Sequence, residues 1–340
     1  METKGFESTT TENKLDKLSI LILAHKNINQ LSRLLKQLSH NNIDIFIHID
    51  KKWNLSDDKI NELKSINDGG IFICDNRISA SLDTWSLVEA TMALIKKTKL
   101  IENEKGINYK YTALLSGQDY PIKSIDYIQN FLNESYPKPF IDCTPYDREN
   151  WLYHKFNCLP TEIKIMRFIN SCLDKGLFRK IVKLPFYLFF KIIKHFHTVY
   201  DDLRKLNCEL YGGSAWWILP DVAIDDILYK YHNPNDKIVA VLKNTLTPEE
   251  TFFQIMVMQS KVASMVNVNP KDMIAQSCMT YAYFSDEDKP FVGHPYIFTA
   301  ADYYKIIKLP HFFARKFDES IDSEIFDMID EKILNVNGGK

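Results

Sequence analysis

The sequence predicts an α/β fold in which a mostly parallel central sheet carries a helical insertion, and three observations support this class. After a polar tail at 1–17, strand-like and helix-like segments alternate for about 125 residues. The strand segments are continuous apolar runs, which is typical of parallel strands buried on both faces. Residues 145–210 then break the alternation with many aromatic and basic residues. We therefore expect one domain at 18–335, with the insertion lying between parts at 18–144 and 211–335.

The first predicted unit is β-α-β. The apolar run Leu18–Ala24 predicts a strand. An amphipathic helix follows, because four leucines recur at helical spacing, namely Leu31, Leu34, Leu35 and Leu38. Ile43–Ile49 predicts the second strand, which ends on Asp50. Ligands of open parallel sheets bind beyond the carboxyl ends of the strands, so we expect Asp50 beside a binding crevice.

Two more strands complete the first part. Ile71–Cys74 predicts the third strand. Apolar residues at helical spacing then predict a helix through Trp85, Val88, Met92 and Ile95. Tyr111–Leu115 predicts a fourth strand, and the sequence SGQDYPIK follows it. Because no Gly-x-Gly-x-x-Gly turn occurs, the alternation favours a nucleotide-sugar fold over a dinucleotide-binding fold.

The insertion contains the sequence FRKIVKLPFYLFFKIIKHFH at 178–197. One interpretation is a helix that contacts a membrane surface or a lipid-linked acceptor. The other is a helical subdomain whose aromatic side chains pack inward while its lysines face water. We favour the second, because Pro185 is expected to interrupt the helix.

The α/β pattern returns after the insertion. GGSAWWIL at 212–219 predicts a strand, and the next helix has an apolar face formed by Ile224, Ile227, Leu228 and Tyr231. Thr247-Pro248-Glu249-Glu250 predicts the start of another helix. A last helix is expected near Ile321–Leu334.

Composition and charge exclude several classes of protein. The formal net charge of −2 argues against nucleic-acid binding, which normally requires a basic domain. Six cysteines occur without a Cys-x-x-Cys pair, so the sequence indicates neither a zinc site nor a disulfide scaffold. The polar N-terminus lacks the apolar stretch of a signal peptide. These features predict a cytoplasmic protein, and frequent Lys, Ile and Asn suggest a bacterial one.

Several segments together resemble the core-2/I-branching β-1,6-N-acetylglucosaminyltransferase family, which also contains peptide O-xylosyltransferases. In chain order these segments are LILAHKN at 21–27, FIHIDKK at 46–52, LLSGQDYPIKS at 114–124, GGSAWW at 212–217, TPEETFF at 247–253 and FFARKFD at 312–318. The resemblance implies a GT-A-like fold, a UDP-sugar co-substrate and transfer with inversion. It also implies that 18–144 binds the nucleotide, that 211–335 binds the acceptor, and that no cofactor or divalent metal takes part.

The sequence agrees with catalysis without a metal. A Mg²⁺ or Mn²⁺ ion bridging a diphosphate needs carboxylates at the end of a central strand. The matching segment offers only Asp119. An Asp-x-Asp motif does occur at Asp286–Asp288, but it lies late in the chain in a charged segment, where a solvated loop is expected.

Inverting transfer needs a general base that removes the proton of the acceptor hydroxyl. By the resemblance, Glu250 is this base, and Glu249 is the alternative. A structural role is also open, because Thr247 to Glu250 reads as a capping box with Thr247 as N-cap and Glu250 at N3.

The leaving diphosphate needs a cation. Arg315 and Lys316 are the candidates, and the resemblance places Lys316 at the family position whose cation replaces the metal. Vertebrate members carry a second arginine upstream of this lysine, where this chain has Gly293 and His294. Either Arg315 or His294 compensates for it, or fewer charges hold the diphosphate.

The resemblance places the uridine contact at Asp50, although the carboxylate of Asp50 also suits a turn or a helix cap. His25 and Lys26 follow the first strand, where they line the same crevice or belong to an ordinary loop. Backbone amides of Ser116, Gly117 and Asp119 are expected near the donor. Gly213, Ser214 and Trp216 are expected in the sugar pocket, since glycine permits close approach. Because adjacent strand residues point to opposite faces, Trp216 or Trp217 is expected in the core.

The donor is read as UDP-GlcNAc, with UDP-xylose as the alternative. The predicted acceptor is a glycan or a lipid-linked glycan in bacterial surface polysaccharide synthesis. The enzyme would reach this acceptor from the inner face of the cell membrane. A catalytically inactive carbohydrate-binding protein of the same fold remains an alternative.

Overall fold

The computed structural model describes residues 16–66, 70–173, 176–194, 196–269, 277–285 and 293–337. Its strands are β1 (Asp16–Ala24), β2 (Ile43–Ile49), β3 (Ile71–Ile73), β4 (Asn108–Ser116), β5 (Asp119–Pro121), β6 (Phe140–Ile141), β7 (Thr144–Pro145), β8 (Tyr211–Gly212), β9 (Trp217–Pro220), β10 (Thr280–Ala282) and β11 (Phe313–Arg315). Its α-helices are α1 (Ile28–Gln37), α2 (Asp57–Lys64), α3 (Trp85–Lys105), α4 (Ile125–Ser135), α5 (Tyr153–Phe156), α6 (Pro160–Cys172), α7 (Leu177–Ile193), α8 (Val199–Lys205), α9 (Asp221–His232), α10 (Lys237–Leu242), α11 (Phe252–Met258), α12 (Tyr303–Ile306) and α13 (Glu324–Asn337).

The central sheet has the strand order β3-β2-β1-β4-β9-β6. Strands β1 to β4 are parallel, and β9 runs antiparallel to both β4 and β6. All seven residues of β2 are buried, as expected for a parallel strand covered on both faces. The predicted α/β class, with a mostly parallel sheet and a helical insertion, is confirmed.

Two apolar cores cover the two faces of this sheet. Ile20 and Ile22 of β1 belong to one core, and Leu21 between them belongs to the other. This alternation is the ordinary two-residue period of a strand. Helices α1, α4 and α13 contribute to the first core, whereas α3, α9 and α11 contribute to the second. The sheet is therefore closed to solvent on both faces, and its accessible chemistry lies at the strand ends.

A small second sheet brings the late part of the chain to these strand ends. Its order is β10-β11-β5, with Arg315 of β11 directly opposite Asp119 of β5. The buried Gln30 side chain joins the two parts, because its amide donates to the carbonyl oxygens of Gly117 at 2.8 Å and Phe317 at 3.1 Å. It also accepts a hydrogen bond from the Glu319 amide at 3.0 Å. The segment after β11 is thus held against the turn after β4.

The insertion is helical as predicted, but two details of the prediction were wrong. Helix α7 continues through Pro185 instead of ending there. Its aromatic side chains also do not pack inward, since Phe178 and Phe189 are exposed by 68% and 55% and only Phe190 is buried among the helix residues. Within the described ranges, none of the helices combines the length and the apolarity that crossing a bilayer requires.

Candidate active site

The carboxyl ends of β1, β2 and β4 meet at one edge of the central sheet. The amide of Asp50 donates to the carbonyl oxygen of Ala24 at 2.8 Å, and the amide of Gly117 donates to that of Leu23 at 3.1 Å. These bonds fold the segments after β2 and β4 against the end of β1, where His25 begins a turn. The predicted crevice at the strand ends therefore brings His25, Asp50 and Gly117 close together.

We call Arg315 and Lys316, together with Asp119 and Trp216, the cationic corner. The Arg315 guanidinium lies 4.1 Å from the centroid of the Trp216 ring, a cation–π contact. Its Nε is 3.6 Å from Oδ1 of Asp119, and both side chains are buried. Among the described residues, Nε and Nη1 of Arg315 have no hydrogen-bond partner. The protein thus holds a buried guanidinium with unused donors.

The carboxylate of Asp119 is bonded within the protein and does not face solvent. Its Oδ2 accepts a hydrogen bond from the Ser116 amide at 2.6 Å, and its side chain is fully buried. Burial raises the pKa of this carboxyl, while the charge of Arg315 opposes that rise. The amide of Gln118 donates to the Ser116 hydroxyl at 3.2 Å, so the amides of residues 116–118 are all used internally. The turn thus supplies acceptors for the Ser116 and Gly117 amides, and their approach to the donor stays a prediction.

Close approach to Gly117 is still possible by another route. A Cβ built on Gly117 would meet only Ala24, at 3.9 Å. Open space therefore lies beside the Gly117 backbone at the end of β4. A ligand in the crevice would lie against this glycine by van der Waals contact rather than by hydrogen bonds from its amide.

Lys316 is half-buried and carries an unpaired ammonium within the described part of the chain. Burial lowers its pKa, and the neighbouring charges of Arg315 and Lys26 lower it further against the pull of Asp119. Lys26 itself is engaged, since its Nζ lies 2.6 Å from Oδ2 of Asp318. The pKa of His25 is also lowered, first by burial and then by these same cations, whereas Asp50 raises it. Lys26 and Arg315 each face a carboxylate, so, of the crevice residues that the structure describes, Lys316 is the cation left to bind a diphosphate.

Asp50 uses both carboxylate oxygens on backbone amides. Oδ1 accepts from Lys52 at 2.7 Å and Oδ2 accepts from Ala80 at 3.0 Å. These bonds build the turn that was the structural alternative for Asp50, and they leave further lone pairs for a ligand. Sequence reasoning missed Arg77, whose guanidinium donates to the carbonyl oxygens of Ile49 at 3.2 Å and Asp50 at 2.9 Å.

Glu249, Glu250 and Lys155 form what we call the glutamate wall. Pro248–Glu250 is a 3₁₀ turn, and Thr247 before it has φ of 50° with no capping bond from its side chain. The Thr247 hydroxyl donates instead to the carbonyl oxygen of Leu246. The capping-box interpretation is therefore wrong, because Thr247 adopts a left-handed conformation that turns its side chain away from the helix.

The two adjacent glutamates lie in different environments. Oε2 of Glu250 forms an ion pair with Lys155 of α5, and its side chain is 35% exposed. Glu249 is buried, and its Oε1 accepts from the Asp83 amide at 2.9 Å. Burial raises the pKa of Glu249 to about 7. Glu250 is therefore the accessible carboxylate, whereas Glu249 holds the loop before α3.

Gly213, Ser214 and Trp216 connect the glutamate wall to the cationic corner. The Gly213 amide donates to the carbonyl oxygen of Glu250 at 2.9 Å, and three residues further the chain reaches Trp216, whose ring lies under Arg315. A Cβ on Gly213 would lie 1.9 Å from the carbonyl oxygen of Asp142, so only glycine fits there. Trp217 is fully buried, which confirms that one of the two indoles belongs to the core.

Asp142 is a further buried carboxylate that sequence reasoning missed. It follows β6 behind Gly213, and its Oδ1 accepts from the Ser277 hydroxyl at 3.2 Å and the Cys278 amide at 3.3 Å. Burial raises its pKa to about 6. Its place at a strand end, like that of Asp50, was the signal that could have identified it.

Two predictions concern the region before Lys316. Asp286–Asp288 lies outside the described residues. His294 is exposed, and the backbone two residues later runs beside the cationic corner, because the Lys316 amide donates to the Tyr296 carbonyl oxygen at 3.3 Å. Within the described ranges, no three His, Cys, Asp or Glu side chains converge as a metal site would require.

Comparison with known proteins identifies relatives along nearly the whole chain. A family model described as Core-2/I-Branching enzyme matches residues 19–306. Xylosyltransferase 2 of Rattus norvegicus is 23% identical over 330 residues, covering 93% of this chain and 33% of the relative. Xylosyltransferase sqv-6 of Caenorhabditis briggsae is 24% identical over 334 residues, covering 94% of this chain and 37% of the relative. The chain thus spans about a third of the length of these curated relatives.

A solved structure, that of mouse xyloside xylosyltransferase 1 in its apo form, matches at 8% identity with a TM-score of 0.29, covering 72% of this chain and 82% of that one. The family match covers residues 19–306, which include most of the residues of the central sheet and the whole glutamate wall, whereas Arg315 and Lys316 lie beyond its end. The chain therefore belongs to the Core-2/I-Branching enzyme family of glycosyltransferases.

Proposed function

We propose that the chain is an inverting glycosyltransferase that moves a sugar from a UDP donor to a hydroxyl group of a glycan. The observation that carries the proposal is the continuous path from Glu250 through Gly213 and Trp216 to Arg315. It connects a partly exposed carboxylate and a pair of cations through the loop that precedes β9. Direct displacement needs these two kinds of group on opposite sides of the reacting carbon.

In the proposed reaction, the acceptor oxygen attacks the anomeric carbon while the bond from that carbon to the diphosphate oxygen breaks. The acceptor proton passes to Glu250, and the electron pair of the broken bond leaves with UDP. Lys155 engages Oε2 of Glu250, which leaves Oε1 to accept this proton. Lys316 neutralises the departing diphosphate, and the positive charge of the neighbouring buried Arg315 adds to its effect.

UDP-GlcNAc and UDP-xylose are equally supported as donors. The family description names core-2 and I-branching enzymes, whereas the curated relatives are named xylosyltransferases. We further propose that the acceptor is a glycan or lipid-linked glycan of bacterial surface polysaccharide synthesis, with the enzyme in the cytoplasm.

Thermal unfolding with a panel of nucleotide sugars tests the donor, because a ligand that binds the folded protein raises its unfolding temperature, more so the further its concentration exceeds its Kd. Transfer to a glycan acceptor is then measured with each stabilising donor. Stabilisation by one UDP-sugar with transfer supports the proposal. Stabilisation by sugars alone, without nucleotide binding or transfer, would favour a carbohydrate-binding protein.

The same assay in excess EDTA tests the role of the protein cations. We expect activity to persist, because Lys316 and Arg315 take the place of a divalent ion at the diphosphate. Complete loss of activity that added Mn²⁺ restores would overturn this part of the proposal.

A further inference from the structure

Helix α7 turns its apolar side away from the protein. Six leucine, isoleucine and phenylalanine side chains of this helix are between 53% and 68% exposed, namely Phe178, Ile181, Leu184, Leu188, Phe189 and Ile192. At about 100° per residue, they span an arc of roughly 140° on the helix surface. Amphipathic helices of globular proteins normally turn such an arc toward the core. We call these six residues the α7 face.

The preceding helix also exposes a large apolar side chain. Phe168 of α6 is 68% exposed, and α6 and α7 pack against each other. Six exposed apolar side chains along one arc of a helix differ from the scattered apolar residues found on any protein. They indicate that something apolar covers this side of the insertion.

The charges of α7 indicate the nature of that cover. Residues 177–194 include Arg179 and four lysines and contain no Asp or Glu. Lys180 and Lys191 are exposed and lie next to Leu184 at one edge of the α7 face. Lys194 pairs with Glu162 of α6 at 3.0 Å, which ties the end of α7 to the rest of the insertion. Exposed lysines beside an apolar arc suit the interface of a bilayer. There the apolar side chains enter the acyl region, and the lysine ammonium groups reach anionic headgroups.

We propose that α7 docks the protein on an anionic lipid bilayer, with the helix lying in the plane of the interface and the α7 face inserted. A second copy of the chain fits less well, because two α7 helices would bring basic residues together without acidic partners on either helix. Docking depends only on this surface and not on the proposed transfer reaction, so it can be tested by itself.

Flotation of the full chain with lipid vesicles tests the proposal. We expect binding to vesicles of phosphatidylcholine mixed with phosphatidylglycerol, and weaker binding to phosphatidylcholine alone. Binding to the mixed vesicles should also weaken near 1 M salt, where the Debye length is only about 3 Å. A protein that does not float with either kind of vesicle would overturn the proposal.

Two substitutions separate lipid insertion from general surface effects. Phe189→Glu on the α7 face should weaken partition into mixed vesicles about tenfold or more, because it replaces an inserted ring with a charge. Tyr229→Glu is the matched control, since Tyr229 is 77% exposed on α9, outside the insertion. It should leave partition unchanged. Equal losses in both variants, or none in Phe189→Glu, would contradict docking through α7.

Tryptophan fluorescence distinguishes insertion into lipid from association with a second copy of the chain. In Phe189→Trp the indole emission should shift to shorter wavelength when mixed vesicles are added, while in Tyr229→Trp it should stay unchanged. If Phe189→Glu instead dissociates a dimer seen by size-exclusion chromatography, and vesicles have no effect on the emission, the α7 face is a protein interface and the proposal fails. Unchanged thermal unfolding of each variant confirms that it is folded.

Discussion

The cationic corner and the glutamate wall differ in how firmly the protein holds their charged groups. Arg315 is buried between the Trp216 ring and Asp119, and it belongs to a strand. Glu250 ends a short 3₁₀ turn, is 35% exposed and has one ion pair with Lys155. The contrast matches the two tasks in the proposed reaction. Stabilising a diphosphate benefits from charges fixed in advance, whereas a base must be open to an acceptor that enters from solvent.

The largest expected effect is on the wall. Glu250→Gln keeps the size of the side chain but removes its capacity to take a proton, so we expect the turnover number to fall about a thousandfold. UDP affinity should remain nearly unchanged, because Glu250 does not belong to the cationic corner. Steady-state kinetics and calorimetric titration with UDP measure the two effects.

Glu249→Gln is the matched control for this change. It alters the neighbouring glutamate, which is buried and bonded to the Asp83 amide, so only a small loss of turnover is expected. If Glu249→Gln loses activity and Glu250→Gln keeps it, Glu249 is the base. The base would then be a buried group, like Arg315 in the cationic corner.

The next largest effect concerns the corner and appears in stability. Asp119→Asn removes the negative charge that faces the buried Arg315 guanidinium, and such a loss costs about 3 kcal/mol of unfolding free energy. Urea denaturation measures it. Asp318→Asn is the control, because Asp318 pairs with the 44% exposed Lys26 and should cost less than about 1 kcal/mol. Similar losses in both variants would show that the corner is no more rigid than a surface ion pair.

The buried glutamate of the wall predicts a dependence of stability on pH. The folded-state pKa of Glu249 is about 7, raised from an ordinary value of 4.5 by burial. The folded protein therefore binds more protons than the unfolded chain in this range, and stability falls as the pH rises from 4.5 to 7. Wild type should lose about 2 kcal/mol more than Glu249→Gln between about pH 5 and pH 8. Parallel pH profiles of the two proteins would contradict a buried, titrating Glu249.

Local patterns predicted much of this molecule. Ile43–Ile49 was predicted with the observed bounds, because a run buried on both faces ends abruptly at a charged residue. Local pattern failed at Thr247, where the sequence of a capping box is present but the left-handed backbone of the residue prevents the cap. A motif specifies which side chains are available, and the dihedral angles decide whether they are used.

The remaining errors have a common physical cause. Helical periodicity shows that α7 has an apolar face, yet the pattern is the same whether that face meets a core or a solvent boundary. Likewise, no local signal places the Trp216 ring beneath Arg315, because the two residues are far apart in the chain and meet only through the second sheet. Orientation and long-range contact are properties of the whole fold, and the sequence around one residue does not contain them.

The smallest of the effects separates Lys316 from its neighbours in the corner. Its ammonium is half-buried beside Arg315 and Lys26, and these charges together with burial lower its pKa. An arriving diphosphate relieves this repulsion, so Lys316→Ala should lower the affinity for UDP about tenfold. The affinity for uridine, which lacks the phosphates, should stay almost unchanged. Lys26→Ala is the control, because Lys26 is already paired with Asp318 and should change UDP affinity less.

UDP affinity of the wild type should also decline as the pH rises toward the lowered pKa of Lys316, since the ammonium is the form that binds the diphosphate. The same decline should be absent in Lys316→Ala, which has no such group to titrate. An equal loss of affinity for UDP and for uridine in this variant would mean that Lys316 acts on the nucleoside and not on the diphosphate. The charge on the diphosphate would then be left to Arg315 alone, whose unused donors are already fixed over the indole.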